Sequence, residues 1–566
     1  MLLYASKGSF YLRTNGLPEA SVRMANSPPG AHSTRWLMAL PLIARPDARS
    51  GLVVGWGGGV LLEDLPPTLR SVDVAELEPE VIEANRHIGD ARHSNPLDDP
   101  RIRIVLNDAR GALALSDKRY DLIVSQPSHP WTAGASHLYT SEFVEMAKGH
   151  LEPEGVFVQW IGTPFVDLEL MRALCATLLE HFSYLRVYQP SRGMFILLAS
   201  DSSLQLEQHV HNRASQSADW QDYLRSSGIF TPEDLLLTLT LDEVASTEFT
   251  HRALPISDND NALATRPHVR DQDDATDALL KALERYDPIL QPTSWIHSQL
   301  GPLRLDYIAH RLIQEGDEQR ALRLAQSVSE PTLKFLIQGY GLQQQGKPQA
   351  AFAAFAQSLA HESGNHSARY AGIASRQAAR SDSLRSAEDP FDPNTLPTSA
   401  QAVLQGQAFA RQKDWVRLAK LEQTLATVQA TEGWLADAIL LRALWRRHLG
   451  ALVGDQNVLW ESIQLIDRLL GRSHKAQLLF LRQDVLAQLG DTQAYIATAW
   501  QTHRYATSLL DRSRSGAFSL PKYESNMLKH QLDNTLSLLR DEPFKPNSTL
   551  DLRVALHAVI DSLRLP

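Results

Sequence analysis

The chain has 566 residues, a formal net charge of -10, 43% hydrophobic and 21% charged residues, a composition typical of soluble globular proteins. The mild acidity argues against a nucleic-acid binder that neutralises many phosphates, and it accommodates cationic ligands. The single cysteine, Cys175, excludes an internal disulfide or a thiolate cluster, and no apolar run approaches the roughly 20 residues that span a bilayer.

The chain up to about residue 270 alternates short Val/Ile/Leu runs with longer helical patterns, which is typical of a parallel sheet wrapped by helices. The predicted strands are 51–55, 71–75, 103–106, 121–125, 155–160, 185–188 and 194–199. The last two are too close together for a crossover helix, so this pair should be antiparallel. A seven-stranded, mostly parallel sheet with such an end is the arrangement of class I S-adenosylmethionine-dependent folds. We expect this Rossmann-like α/β domain over residues 31–270.

From about residue 275 onward, Ala, Leu, Gln and Arg dominate in helix-period patterns, which predicts an all-α domain over 275–566. One spaced pattern occurs twice in it, as Ala309, Gly316, Ala321, Ala325 and again as Gly339, Gly346, Ala351, Phe355. This spacing resembles the tetratricopeptide repeat, in which small residues let two helices approach and Gly turns the chain. Residues 381–398 break the period and are predicted to be a loop. A helical-repeat domain of this kind is expected to contact a protein partner.

A glycine-rich segment directly follows the first strand of the predicted sheet. Its glycines are Gly55, Gly57, Gly58 and Gly59. Glu76 lies 21 residues after Gly55, at the end of the next strand. Glycines allow the backbone to approach a nucleoside, and an acid at this spacing accepts hydrogen bonds from ribose hydroxyls. Because a tight strand-to-helix turn needs glycine in any case, the spaced acid is the feature that favours nucleoside binding.

Two further segments point to the same pocket. Asp108 and Ala109 follow strand 103–106, where the carboxylate either accepts from an adenine amino group or caps the next helix. Segment 120–131 leaves the carboxyl end of a central strand, where open α/β sheets bind their ligands. Prolines at 127 and 130 hold this loop extended. It is therefore either a rigid connector or a loop that gates a second substrate.

These segments together resemble the spermidine synthase (polyamine aminopropyltransferase) family, especially its larger members fused to membrane or helical-repeat segments. The matching stretches are 55–59, 74–82, 99–101, 107–110, 120–131 and 139–143, and residues 1–30 look like a remnant of the family's N-terminal β-hairpin. The resemblance implies that Glu76 holds the ribose, that Asp108 and Ala109 hold the adenine, and that residues 125–134 cover the active site. It also implies S-adenosylmethionine or its decarboxylated form as co-substrate, a small cationic amine as second substrate, and no metal.

The family's chemistry is displacement at the carbon beside a sulfonium, and the attacking amine must first lose a proton to a base. Two acids that the resemblance implies are absent. Gly58 stands where the family has the Asp that faces the aminopropyl amine, and Gln126 stands where it has the Asp expected to act as base. An amide cannot accept a proton at pH 7. The predicted catalytic-site residues are therefore Gln126, His129 and Tyr139. His129 or the Tyr139 hydroxyl could replace the missing base, as could His137.

Other acids could replace the missing pair. Residues 257–261 (SDNDN) hold two clustered carboxylates that would suit a polyamine, although a solvated turn has the same composition.

Three functions remain open from the sequence. The first is aminopropyl transfer to an amine, as in polyamine biosynthesis. The second is an S-adenosylmethionine-dependent methyltransferase, because Gly58 removes a negative charge that would repel the methionine carboxylate. The third is a catalytically silent nucleoside-binding module that presents a helical scaffold to a partner. We expect a cytoplasmic protein, membrane-associated if a segment precedes this chain, with no nucleic-acid partner; a homodimer is compatible with the sequence.

Overall fold

The structure is a computed structural model of the chain. It describes residues 1–29, 33–127, 129–131, 134–191, 193–213, 218–265, 272–291, 295, 305–315, 317–345, 347–379, 391–429, 432–470, 476–514, 520, 522–540 and 549–563. The chain divides into two compact units, residues 1–25 with 31–299 and residues 26–30 with 300–566. The domain limits near 270 and 275 stay predictions, because residues 266–271 lie outside the described residues.

The first unit begins with a small antiparallel sheet of three strands. These are β1 (Leu2–Ser6), β2 (Ser9–Thr14) and β3 (Leu17–Arg23). Asn15 and Gly16 connect β2 to β3 with φ values of 52° and 82°, because a two-residue hairpin turn requires the left-handed region. Leu12 pairs with Ala20 and Arg13 pairs with Pro18. Glu19 is therefore the extra residue of a β-bulge, a feature that re-aims a side chain.

The main sheet has eight strands in the order β11-β9-β10-β8-β7-β4-β5-β6. They are β4 (Ser50–Val54), β5 (Ser71–Glu76), β6 (Ile102–Leu106), β7 (Tyr120–Ser125), β8 (Leu151–Gly162), β9 (Tyr184–Ser191), β10 (Met194–Ser200) and β11 (Leu239–Leu241). The seven predicted strands are confirmed, and β9 and β10 are antiparallel as expected. Strands β6, β5, β4, β7 and β8 are parallel. The addition to the prediction is β11, a three-residue edge strand that pairs with β9.

Helices cover both faces of this sheet. They are α1 (Trp36–Ala44), α2 (Pro79–Ile88), α3 (Ala109–Ala114), α4 (Ser141–Gly149), α5 (Leu168–His181), α6 (Leu206–Arg213), α7 (Ala218–Ser226), α8 (Pro232–Thr238), α9 (Glu243–Phe249), α10 (Ala262–Thr265) and α11 (Gln272–Leu283). Ile123 of β7 and Phe157 of β8 form a core with Phe143 of α4 and Met171 of α5, all fully buried. α1 is buried nearly all round, which explains its uninterrupted apolar sequence.

The second unit is helical throughout its described residues. Its helices are Leu305–Glu315, Glu318–Ser327, Pro331–Gln344, Pro348–His361, His366–Ala379, Thr398–Arg411, Trp415–Ala419, Glu422–Ala426, Leu435–Val453, Gln456–Leu470, Ala476–Leu489, Thr492–Arg514, Lys522–Leu538 and Leu550–Ser562. A Cβ on Gly339 would lie 2.4 Å from the Phe355 ring, so this glycine lets the two helices of the second repeat copy approach closely. Gly316, Gly346 and residues 381–390 of the predicted loop lie outside the described residues. The tetratricopeptide assignment stays a prediction.

No helix within the described ranges is both long enough and apolar enough to cross a membrane.

Candidate functional site

The glycine-rich loop lies at the carboxyl end of β4, between β5 and β7. Val54 pairs with Ala75 on one side and with Ser125 on the other. The backbone at Gly55 has φ +89°, and a Cβ there would lie 2.6 Å from the backbone oxygen of Gln126. Only glycine fits at this position, because both the backbone conformation and the close approach exclude a side chain. The loop therefore turns at the topological switch point of the sheet, where open α/β folds bind ligands.

Glu76 ends β5 beside this loop, and its carboxylate is held by two backbone N–H groups. Trp56 N donates to Oε2 at 2.7 Å, and Glu78 N donates to Oε1 at 2.9 Å. The side chain is buried, and this burial raises the pKa of its carboxyl. Each carboxylate oxygen has a second lone pair, so two neighbouring hydroxyl groups could still donate to Glu76. This is the arrangement that ribose recognition requires.

A buried amide fixes the middle of the glycine-rich loop. Asn85 of α2 is fully buried, and its Nδ2 donates to the carbonyl oxygen of Gly57 at 2.9 Å. Arg92 donates to Asn85 Oδ1 at 3.1 Å and also pairs with buried Glu63, which accepts from Arg35. Because Arg92 can only donate, it sets the orientation of the Asn85 amide. Sequence analysis missed this residue, since a single Asn in an amphipathic helix carries no local signal.

Asp108 and Ala109 stand at the end of the neighbouring strand. Asn107 N donates to the backbone oxygen of Glu76 at 3.1 Å, which brings the loop after β6 against the end of β5. Asp108 caps α3, because its Oδ2 accepts from Gly111 N at 2.9 Å. The capping role and a contact to adenine are compatible, since a carboxylate has further acceptor positions. Ala109 is buried behind it.

The N-terminal strand β3 covers the glycine-rich loop at Gly58. A Cβ on Gly58 would lie 2.7 Å from Cγ2 of Val22 and 3.4 Å from Cβ of Ala20. Any side chain at position 58, including the Asp that the resemblance implied, would therefore clash with Val22 unless that side chain shifted. Gly58 thus allows β3 to pack directly on the glycine-rich loop, which an acid at this position would hinder.

Glu19 of β3 is a second residue that sequence analysis missed. It is the partly buried bulge residue, one position before Ala20. Burial, with the nearby charges of Glu76 and Glu78, raises the pKa of Glu19 from 4.5 to about 7. Its carboxyl therefore changes charge near neutral pH. Strand β3 thus places an acid near Glu76 that the sequence did not predict.

The loop after β7 carries two of the predicted catalytic residues. Gln126 N donates to Val54 O at 3.0 Å, while Gln126 Oε1 is buried without a hydrogen-bond partner in the part of the chain that the structure describes. His129 Nε2 lies 2.8 Å from the Pro18 carbonyl oxygen. A carbonyl only accepts, so this nitrogen donates to β3 and is not the proton acceptor. The His129 ring also packs against Trp131, with ring centroids 4.9 Å apart.

Tyr139, the third predicted catalytic residue, is fully buried in the core beside α4. Burial raises the pKa of its hydroxyl well above the usual range, so the group stays protonated at neutral pH. This placement argues against Tyr139 as a base.

The structure therefore brings Gly55, Gly57, Gly58, Glu76 and Gln126 together at the carboxyl ends of β4, β5 and β7, and Asp108 follows the adjacent strand β6. His129, in the loop after β7, contacts Pro18 of β3, and Tyr139 lies in the core. Among the described residues, no group of three or more His, Cys, Asp or Glu side chains is arranged to hold a metal ion.

The family model and the curated relatives that match this region concern the same family. Residues 31–192 match the family model described as spermine/spermidine synthase domain. Polyamine aminopropyltransferase 1 of Pseudomonas aeruginosa is 26% identical over 162 residues, which are 28% of this chain and 56% of that protein. The polyamine aminopropyltransferase of Nitrosomonas europaea is 32% identical over 174 residues, which are 30% of this chain and 53% of that protein.

A solved structure of spermidine synthase from Thermotoga maritima is 19% identical and covers 44% of this chain and 87% of its own, with a TM-score of 0.34. The chain spans about half the length of the two aminopropyltransferases. Residues 31–192, within the first compact unit, are therefore similar to the spermine/spermidine synthase domain.

Proposed function

We propose that the first unit binds decarboxylated S-adenosylmethionine and transfers its aminopropyl group to an amine, releasing methylthioadenosine. The observation that carries this proposal is the Glu76 carboxylate, which two backbone N–H groups hold beside the glycine-rich loop. Ribose hydroxyls would donate to its remaining lone pairs, and Asp108 with Ala109 would contact the adenine. The matched relatives are polyamine aminopropyltransferases, which supports this choice of reaction.

The reaction would proceed by direct displacement. The nitrogen lone pair of the amine attacks the carbon beside the sulfonium, the C–N bond forms, and the C–S bond breaks with its electron pair moving to sulfur. The proton of the amine must leave to a base. Gln126 cannot accept it, and His129 donates from Nε2 to Pro18, so this ring could accept a proton only at Nδ1. Glu19 is a second candidate, because it lies close to Glu76 and Glu78 on β3 and its pKa of about 7 suits a proton acceptor near neutral pH.

A methyltransferase is the second candidate, and the packing at Gly58 favours it. Because Val22 occupies the space beside Gly58, no acid stands there to repel the carboxylate of intact S-adenosylmethionine. A charged Glu19 would instead repel that carboxylate. The decarboxylated ligand lacks the carboxylate and keeps only the ammonium group, so the ligand that binds more tightly distinguishes the two reactions.

Calorimetry on the full chain with three ligands tests these functions. Decarboxylated S-adenosylmethionine and methylthioadenosine should bind, and the decarboxylated ligand should bind more tightly than intact S-adenosylmethionine. Preference for the intact ligand would support the methyltransferase. Failure of all three to bind would refute both enzymes and the nucleoside-binding module alike. Binding without turnover of any amine or methyl acceptor would instead support the silent module.

A further inference from the structure

One carboxylate far along the chain joins two loops of the candidate site. Asp258 accepts two hydrogen bonds from the Arg110 guanidinium, each 2.8 Å long. Its Oδ1 also accepts from Thr140 Oγ1 at 2.8 Å and lies 3.1 Å from His137 Nδ1. Its backbone N donates to Glu142 Oε2 at 2.9 Å. Residues separated by as many as 148 positions therefore meet at one side chain.

This environment changes the interpretation of residues 257–261, whose acids the sequence offered as polyamine ligands. The Arg110 guanidinium, with donors on His137 and Thr140, holds the pKa of Asp258 well below its usual range. The fork of Arg110 matches the carboxylate in bidentate geometry, which is the strongest form of such a pair. Asp258 is thus engaged by donors of its own chain and has little capacity left for an ammonium group.

The partners of Asp258 lie in segments that form the site. Arg110 is in the first turn of α3, two residues after Asp108, whose carboxylate caps the same turn. α3 has only six residues, so its direction depends on its anchoring contacts. His137 and Thr140 stand at the end of the segment that continues the loop after β7. Holding the His137 and Thr140 side chains in place therefore also holds segment 137–142 in place.

We propose that Asp258 is a positioning residue for nucleoside binding, which holds the loop after β6 and the segment 137–142 in one geometry. This inference rests on the proposed function, since it assigns the nucleoside to the Asp108 end of the cleft. Asp258 does not touch the ligand; it acts through Arg110 on Asp108 and through His137 and Thr140 on segment 137–142.

Calorimetry with methylthioadenosine on the full chain tests this role in Asp258→Asn, Arg110→Gln and the double variant. Each single variant should raise the Kd about tenfold, the effect of losing one charge-assisted pair. The double variant should also raise the Kd about tenfold relative to the wild type, and no further, because both changes remove the same interaction. Asp260→Asn is the matched control, since Asp260 is an exposed acid of the same segment and should leave the Kd unchanged.

Hydrogen exchange of the ligand-free protein provides a second measurement. Amides of α3 and of residues 137–142 should exchange faster in Asp258→Asn than in the wild type, and those of β10 should not. A lower melting temperature with an unchanged Kd in folded Asp258→Asn would overturn the positioning role. A wild-type chain that binds no methylthioadenosine refutes the proposed function itself, whereas wild-type binding with unchanged variants refutes only the role of Asp258.

Discussion

Glu19→Gln should stabilise the first unit at pH 8 and have little effect at pH 5. The Glu19 carboxyl has a pKa of about 7 in the folded protein, because it is partly buried and close to Glu76 and Glu78. In the unfolded chain its pKa is near the ordinary 4.5. Between these two values the folded state binds the extra proton, so stability falls as pH rises through this window. Gln carries no charge and removes this penalty.

The magnitude follows from the size of the pKa change. A rise in pKa from 4.5 to about 7 destabilises the folded state by about 3 kcal/mol above pH 7, at about 1.4 kcal/mol for each pKa unit. At pH 5 the destabilisation is only about 1 kcal/mol, because Glu19 is only partly ionised in the unfolded chain. Glu19 is partly exposed, and solvent screening reduces both figures by roughly half. We therefore expect a gain of about 1.5 kcal/mol at pH 8 and about 0.5 kcal/mol at pH 5.

Hydrogen exchange of peptides from β4 and β5 measures this gain in the full chain, because it reports the opening free energy of the first unit separately from the helical unit. Wild type and variant are compared at the same pH, which cancels the intrinsic pH dependence of exchange. Glu145→Gln on α4, an exposed glutamate, is the control and should change neither value. An equal gain at both pH values, or no gain at pH 8, would refute the argument.

Three further outcomes are expected. Asn85→Ala removes the side-chain partner of the Gly57 carbonyl and of Arg92 Nη1, so it should lower stability by about 1–3 kcal/mol in thermal unfolding and weaken methylthioadenosine binding in calorimetry. Gly58→Asp should cost about 1–3 kcal/mol by overpacking against Val22, and Val22→Ala in the same chain should recover part of this loss. Because Glu19 and His129 remain as candidate bases, Gln126→Asp should change amine-transfer turnover little, and a rise of about a hundredfold would show that the base is missing.

The sheet could be predicted because parallel strands buried on both faces appear as short apolar runs. All seven such runs form strands, and the short spacing between 188 and 194 predicted the antiparallel pair correctly. β11 could not be predicted, since three residues at an edge carry no periodicity. The glycine-rich loop and Glu76 were found for a similar reason, because both belong to one βα unit and their spacing is local.

The contacts that complete the site are not local, and no spacing reveals them. Asn85 meets Gly57 across 28 residues, and Asp258 meets Arg110 across 148. A buried Asn and an acid in a turn look alike in sequence whether or not they have such partners. The sequence therefore indicated where the ligand would bind, whereas the residues that hold the loops in place appeared only in the folded chain.

Gly58 and Glu19 are best understood together. The resemblance suggested that Gly58 stands where the family has an acid. In the structure, Val22 and Ala20 fill the space beside Gly58, and the bulge one residue earlier carries Glu19 toward Glu76. The same strand thus excludes an acid from the loop and contributes one of its own. Because burial and the charges of Glu76 and Glu78 raise the pKa of Glu19 from 4.5 to about 7, the charge beside Glu76 changes with pH near neutrality.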